Sequence, residues 1–281
     1  MTRPPGAASW GSFSSEPDVS AAGPEGQTVP ERDGPLSSTS VTVSDDPTGA
    51  VAHFLAIPWC RAHLRPAENG PAGATGSSTR IRIVVPATRF RISSPETADN
   101  AFTNTLNSPD TISAYVVFYE EPADALSHAP IVELKALMTV GPGMNGHVGV
   151  MHGGLVGTIL DEVLGLLMPL NQRRLRRLQK LQQQQQQENS QSQTPSQTDE
   201  KYSPAEAAAV ASATVRHGFV TGFLNTTYVR PVRTSATILV TARFTRLEGP
   251  RKFYVQGAIW DEDAQLRAKA EAVFIALRDK L

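Results

Sequence analysis

His152-Gly153-Gly154-Leu155-Val156-Gly157-Thr158-Ile159-Leu160-Asp161-Glu162 is the stretch that decides the fold of this 281-residue chain. Apolar residues continue through Val163, Leu164, Leu166, Leu167 and Met168 to Leu170. A helix that is apolar nearly all round is a buried helix. Asp161 stands in its middle, with Gly157 and Gly165 four residues to either side. The face that carries the carboxylate therefore has no bulk above or below it. Two interior glycines cost about 1 kcal/mol each against alanine. Two accounts of that cost stand level. Either the glycines leave room for a ligand beside the carboxylate, or they let helices pack closely around an Asp bonded to a neighbour. A buried carboxyl of this kind suits general-base work.

The start of this helix has chemistry of its own. Gly153 and Gly154 present backbone N–H groups that lack helical partners. The helix dipole adds positive potential there. Together they suit a carbonyl oxygen that gains negative charge, although an ordinary glycine-rich helix start reads the same way. His152 is either an N-cap-type residue or a substrate contact.

Strands flank the helix. Before it, Tyr115-Val116-Val117-Phe118-Tyr119 reads as one strand, and Ile131 to Val140 as another with Val132, Leu134, Ala136 and Met138 alternating. Gly141-Pro142-Gly143 ends the second. After it, strands are expected over Gly218–Val229, around Ile238–Phe244, around Phe253–Ile259 and over Leu266–Leu277. Turn signals at Gly249-Pro250 and Asp261-Glu262-Asp263 separate the last three. Short connections imply an antiparallel meander. One long helix against one antiparallel sheet is an α+β domain.

The rest of the chain reads differently. Residues 1–46 are Ser, Gly, Pro, Thr and acids, with Trp10 and Phe13 the only large apolar groups. Such a segment is expected to be a disordered tail. Residues 47–110 read as an N-terminal extension. A short helix begins near Asp46-Pro47 and carries Val51, Phe54, Leu55 and Trp59, and a brief extended piece runs over Ile81–Val85. The domain proper spans 111–281 and is interrupted over 172–210. There Arg173-Arg174-Leu175-Arg176-Arg177 leads into six glutamines, Gln182 to Gln187. The expected form is a helix extension that frays into a low-complexity insertion. The basic cluster suits a helix C-terminus better than a nuclear signal.

Composition excludes several classes. A net charge of −1 argues against general nucleic-acid binding. The single cysteine, Cys60, excludes an internal disulfide framework and a cysteine-based zinc cluster. Six histidines without close pairing give no metal site. No run of 18 apolar residues is present, so no membrane span is expected. Met1-Thr2-Arg3-Pro4-Pro5 leads into no apolar stretch, so no secretory leader is expected either. Asn225-Thr226-Thr227 fits a glycosylation sequon but lies in an expected strand.

The 152–162 stretch resembles the helix-start motif of hotdog-fold acyl-CoA thioesterases, where His-Gly-Gly precedes an Asp nine positions after the His. The similarity is closest to the phenylacetate-pathway type, within the 4-hydroxybenzoyl-CoA thioesterase-like group. Asn225-Thr226-Thr227-Tyr228-Val229-Arg230-Pro231-Val232 resembles the family's strand that ends in an aromatic and Arg/Ser-Pro. Gly249-Pro250-Arg251 and the closing strand through Phe274 are a weaker match, and Ile57-Pro58-Trp59-Cys60 resembles fungal members. The resemblance covers about 112–170 and 211–281.

It implies a hotdog fold, a long central helix wrapped by a curved antiparallel β-sheet. It also implies a homodimer or dimer of dimers with active sites at the subunit interface. Gly153 N–H would polarise a thioester carbonyl, with Gly154 and His152 beside it. Asp161 from the other subunit would act as general base for water, or as nucleophile. Thr221 matches a Ser/Thr that orients the water, and Asn145 or His147 fills a polar position ahead of His-Gly-Gly. Arg230, Arg246, Arg251 and Lys252 are candidates for the phosphates of coenzyme A. The implied reaction is hydrolysis of an acyl-CoA to coenzyme A and a free acid, with no metal or redox cofactor. A hydratase of the same fold would want a paired Asp and His that this chain lacks around Asp161. A non-catalytic acyl-CoA binder or interaction protein is the alternative, its tail and Gln-rich insertion doing the work. The compartment is cytosolic or mitochondrial.

Overall fold

The computed structural model describes residues 46–65, 80–89, 100–121, 129–189, 218–248 and 251–277. Residues 1–45 of the expected 1–46 tail, the Gly249-Pro250 turn and the insertion beyond 189 lie outside them. Nine strands and four α-helices follow in chain order among the described residues. They are α1 (Ala50–Ala56), α2 (Pro58–Leu64), β1 (Arg80–Val84), β2 (Ile112–Glu121), β3 (Glu133–Val140), β4 (Asn145–His147), β5 (Val150–Met151), α3 (Gly153–Gly165), α4 (Leu167–Asn189), β6 (Phe219–Tyr228), β7 (Ala236–Glu248), β8 (Lys252–Trp260) and β9 (Leu266–Ala276). Seven strands form one antiparallel sheet in the order β1-β2-β3-β7-β8-β9-β6. The α+β class and the hotdog arrangement, a long helix on an antiparallel sheet, are present as expected.

The meander is only partly so. β7, β8 and β9 are joined as successive hairpins, but β6 does not pair with β7. It lies at the far edge, against β9, with Phe219 opposite Ala276 and Tyr228 opposite Ala268. Residues 229–235 carry the chain across. Val229 and Arg230 both donate their N–H to the Arg267 carbonyl, and Met151 N–H reaches the Val232 carbonyl. Those bonds run to β5 and β9, so local turn chemistry gave no sign of them.

α3 packs Val156, Ile159, Leu160, Val163 and Leu164 into one core with Leu134, Ala136 and Met138 of β3, Val240 and Ala242 of β7, and Ala268, Ala270 and Ala272 of β9. Gly257 of β8 permits the close approach, because a Cβ there would strike the Leu164 side chain and the Thr241 carbonyl oxygen. The helix bends at Leu166 and continues as α4 to Asn189, so the expected extension stays helical through the glutamine run. The α3–α4 rod is long and apolar enough to span a membrane. Its buried leucines, Leu160, Leu164 and Leu167, face protein. Asn171, 2% exposed, ties the rod to the start of β3. Its Oδ1 accepts from Ile131 N–H, and its Nδ2 donates to the Ile131 and Leu167 carbonyls.

The opposite face of the sheet has its own core. Val51 and Phe54 of α1 and Cys60 and Leu64 of α2 meet Ala114, Val116 and Phe118 of β2, with Leu137 and Leu239. β2 is thus covered on both faces, which explains its unbroken apolar run where a half-exposed strand would alternate. The expected helix is split in two at Ile57, with Pro58 in the first turn of α2 where its missing N–H costs nothing. Asp46 serves the start of α1 from upstream, accepting from Val51 N–H at 2.8 Å and Thr48 N–H at 2.9 Å. Burial pushes the Cys60 thiol up to about 12.

Candidate active site

His152 ends the β4–β5 hairpin and begins α3. Residues 148 and 149 turn that hairpin, with Gly149 at φ 71°. The His152 ring is the helix N-cap, and its Nδ1 accepts from Gly154 N–H at 3.1 Å. Leu155 and Val156 both donate to the His152 carbonyl. Gly153 N–H, by contrast, makes no hydrogen bond among the described residues. The structure therefore separates the two glycines. The Gly154 N–H is engaged by the cap, while Gly153 keeps a donor at the positive end of the helix. His152 takes the capping alternative.

Two turns along, Asp161 is half-buried. Thr221 of β6 donates its hydroxyl to Asp161 Oδ1 at 2.9 Å. Sixty residues of sequence separate them, and the crossing of β6 to the sheet edge joins them. The flanking glycines divide the two accounts of their cost. A Cβ on Gly165 would crowd the Phe274 ring at 3.3 Å, so Gly165 serves packing. A Cβ on Gly157 would meet only the Leu224 tip at 4.0 Å, so the space above Asp161 is loosely filled. Thr221 is exposed, and so are its β6 neighbours Val220 and Phe223.

A hollow of about 340 Å³ opens beside Gly153, lined by Val150, Met151, Val156, Val232, Tyr228 and Arg230 among others. Tyr228 closes one side. Its hydroxyl donates to the Gly153 carbonyl at 2.9 Å.

The comparisons bear on these elements. Residues 205–268 match the family model described as thioesterase superfamily. The match includes Thr221 and Tyr228, while the 152–162 motif precedes it. The chain is also similar to verlamelin biosynthesis protein B of Lecanicillium sp., at 29% identity over 179 residues, 62% of this chain and 71% of that one. Among solved structures it is similar to mouse thioesterase superfamily member 2 (16% identity, 54% of this chain and 85% of that one, TM-score 0.34). It is similar too to the Escherichia coli PaaI protein from the phenylacetic acid degradation operon (16%, 52% and 73%, TM-score 0.31). A thioesterase superfamily crystal structure at 19% identity and TM-score 0.34 is spanned over 60% of its length.

The remaining thioesterase-motif candidates are spread out. Asn145 is exposed on β4, where its Oδ1 accepts from the Thr234 hydroxyl at 2.5 Å. Thr234, 8% exposed, was not foreseen, since nothing in Arg233-Thr234-Ser235 marks it. His147 is exposed on the same hairpin.

Arg230 lines the hollow and bonds the Leu266 carbonyl at 3.1 Å. The Nε and Nη2 of Arg251 both bond the Ala276 carbonyl, so it braces the β8–β9 end. Arg246 and Lys252 likewise pair with Glu248, and the Arg246 guanidinium lies 3.7 Å over the Tyr254 ring. Tyr254 and Lys252 bonds hold the Glu248 carboxyl below its usual range.

Proposed function

We propose that this chain hydrolyses acyl-CoA thioesters to a free acid and coenzyme A, in a composite site that a second copy completes. The carrying observation is the Thr221–Asp161 hydrogen bond at an exposed sheet edge, within and beside the thioesterase-superfamily match. The Thr221 hydroxyl donates its hydrogen bond to the carboxylate, so its lone pairs are left to accept from a water. Asp161 draws a proton from that water. The water oxygen then bonds to the thioester carbon, and the carbonyl oxygen gains charge beside Gly153 N–H. Collapse breaks the C–S bond, and the proton on Asp161 passes to the departing thiolate.

Helix geometry supports the second copy. Eight residues separate Gly153 from Asp161, about 12 Å along the axis. One carbonyl carbon does not reach both within a single chain. Two chains joined antiparallel along β6 bring one helix start toward the other's mid-helix. The β6 edge suits that join, with Val220 (45%), Phe223 (49%) and Tyr228 (57%) exposed on a strand with one unpaired side.

The test is free-thiol release from a panel of acyl-CoA esters, acetyl to palmitoyl plus phenylacetyl. Turnover of at least one ester supports the reading. No turnover on any, with the esters still bound, replaces it with a non-catalytic acyl-CoA binder.

A further inference from the structure

We infer that Tyr228 is the positioning residue of the Gly153 donor and a wall of the acyl pocket, an inference that rests on the hydrolase reading above. Two successive glycines start α3, and glycine has more backbone freedom than any other residue. A donor meant to meet a developing charge must instead be held still before the charge appears. The Gly153 N–H shares its peptide plane with the His152 carbonyl, which accepts from Leu155 and Val156, and the next plane, the Gly153–Gly154 peptide unit, is gripped from both sides. Its carbonyl accepts from the Tyr228 hydroxyl at 2.9 Å, and its N–H is held by His152 Nδ1 at 3.1 Å. The Tyr228 ring also lies along the bare Cα of Gly153. A Cβ there would rest 3.6 Å from Cε1, Cζ and the hydroxyl oxygen, in ordinary contact.

Tyr228 is itself well anchored. It ends β6 opposite Ala268, and the next two residues both donate to the Arg267 carbonyl. The phenol therefore reaches the helix start from a fixed backbone. Yet 57% of the residue is exposed, and its ring borders the 340 Å³ hollow. The ring stands between the helix start and an apolar hollow of a size that holds a small ligand.

The two roles separate by substitution in the full-length protein. Tyr228→Phe keeps the ring and removes the hydroxyl. It should lower kcat about tenfold, the worth of one hydrogen bond, with KM within about twofold, the melting temperature unchanged and the ranking of acyl groups preserved. Tyr228→Ala removes the wall as well and should shift the ranking toward bulkier acyl groups. Wild-type kcat in Tyr228→Phe overturns the positioning role. An unchanged ranking in Tyr228→Ala overturns the wall. A fall in activity that only follows a fall in melting temperature assigns Tyr228 to stability and overturns both. A wild-type protein that hydrolyses no ester fails the hydrolase reading, and the inference falls with it.

Discussion

The two ends of the sheet are built on opposite principles. At the β1–β2–β3 end, helices α1–α2 cover one face and the α3 core the other, so β2 has apolar contacts on both sides. At the β6 end the strand shows Val220, Phe223 and Tyr228 to solvent and keeps one edge unpaired. The carboxylate, its threonine, the open helix start and the hollow all lie toward this second end. Buried apolar area stabilises the first end, and the proposed chemistry and association belong to the second. A substitution at the closed end should therefore change stability without changing the reaction, and one at the open end the reverse.

The largest effect belongs to the closed end. Phe54→Ala empties a fully buried site under β2 and should cost about 3–5 kcal/mol, read as a lower denaturant midpoint. kcat per folded molecule should stay at the wild-type value. A parallel loss of kcat in fully folded protein would break the separation between the two ends.

Thr221→Val at the open end removes one hydroxyl from an exposed position. Thiol release should slow about tenfold while the melting temperature holds. Equal loss of stability would mean that the Thr221–Asp161 bond is structural.

The smallest effect tests a site belonging to neither end. Burial works against the Asp261 carboxylate, but the Gln265 N–H and the Arg267 guanidinium outweigh it and hold its pKa below the usual range. A lowered folded-state pKa contributes stability above the unfolded value, and that stability is lost as pH falls through the folded one. Asp261→Asn should cost at most about 1 kcal/mol at neutral pH and flatten the acid limb of the stability curve. Activity should be untouched, and a change in kcat would extend the functional end into the β8–β9 turn.

Much of this division was legible in the residues. Periodicity located α3 and the main strands, because each buries a regular face. The doubly covered β2 showed itself as an unbroken apolar run. The crossing of β6 was not legible, because it depends on pairing with β9 across some forty residues. Local turn signals favoured β7 instead. Asp161 stood out as a carboxylate among apolar residues and glycines, and Thr221 only through the family motif. The partners of Gly154 and Arg251, the His152 ring and the Ala276 carbonyl, were not legible because they are fixed by three-dimensional placement. Asn171 had no readable sign, since it stands where the apolar run gives way to Gln172-Arg173-Arg174. Thr234 and the contact of Tyr228 with Gly153 had none.

The central claim is that the open edge holds a hydrolytic carboxylate. Asp161→Asn keeps shape and the Thr221 hydrogen bond but cannot take a proton from water. Thiol release from the best acyl-CoA of the panel, measured beside the wild type with both shown folded and in the same oligomeric state, tests that claim most directly. The account predicts a loss of 10²-fold or more, on the order of general-base catalysis. Wild-type turnover in Asp161→Asn would contradict it.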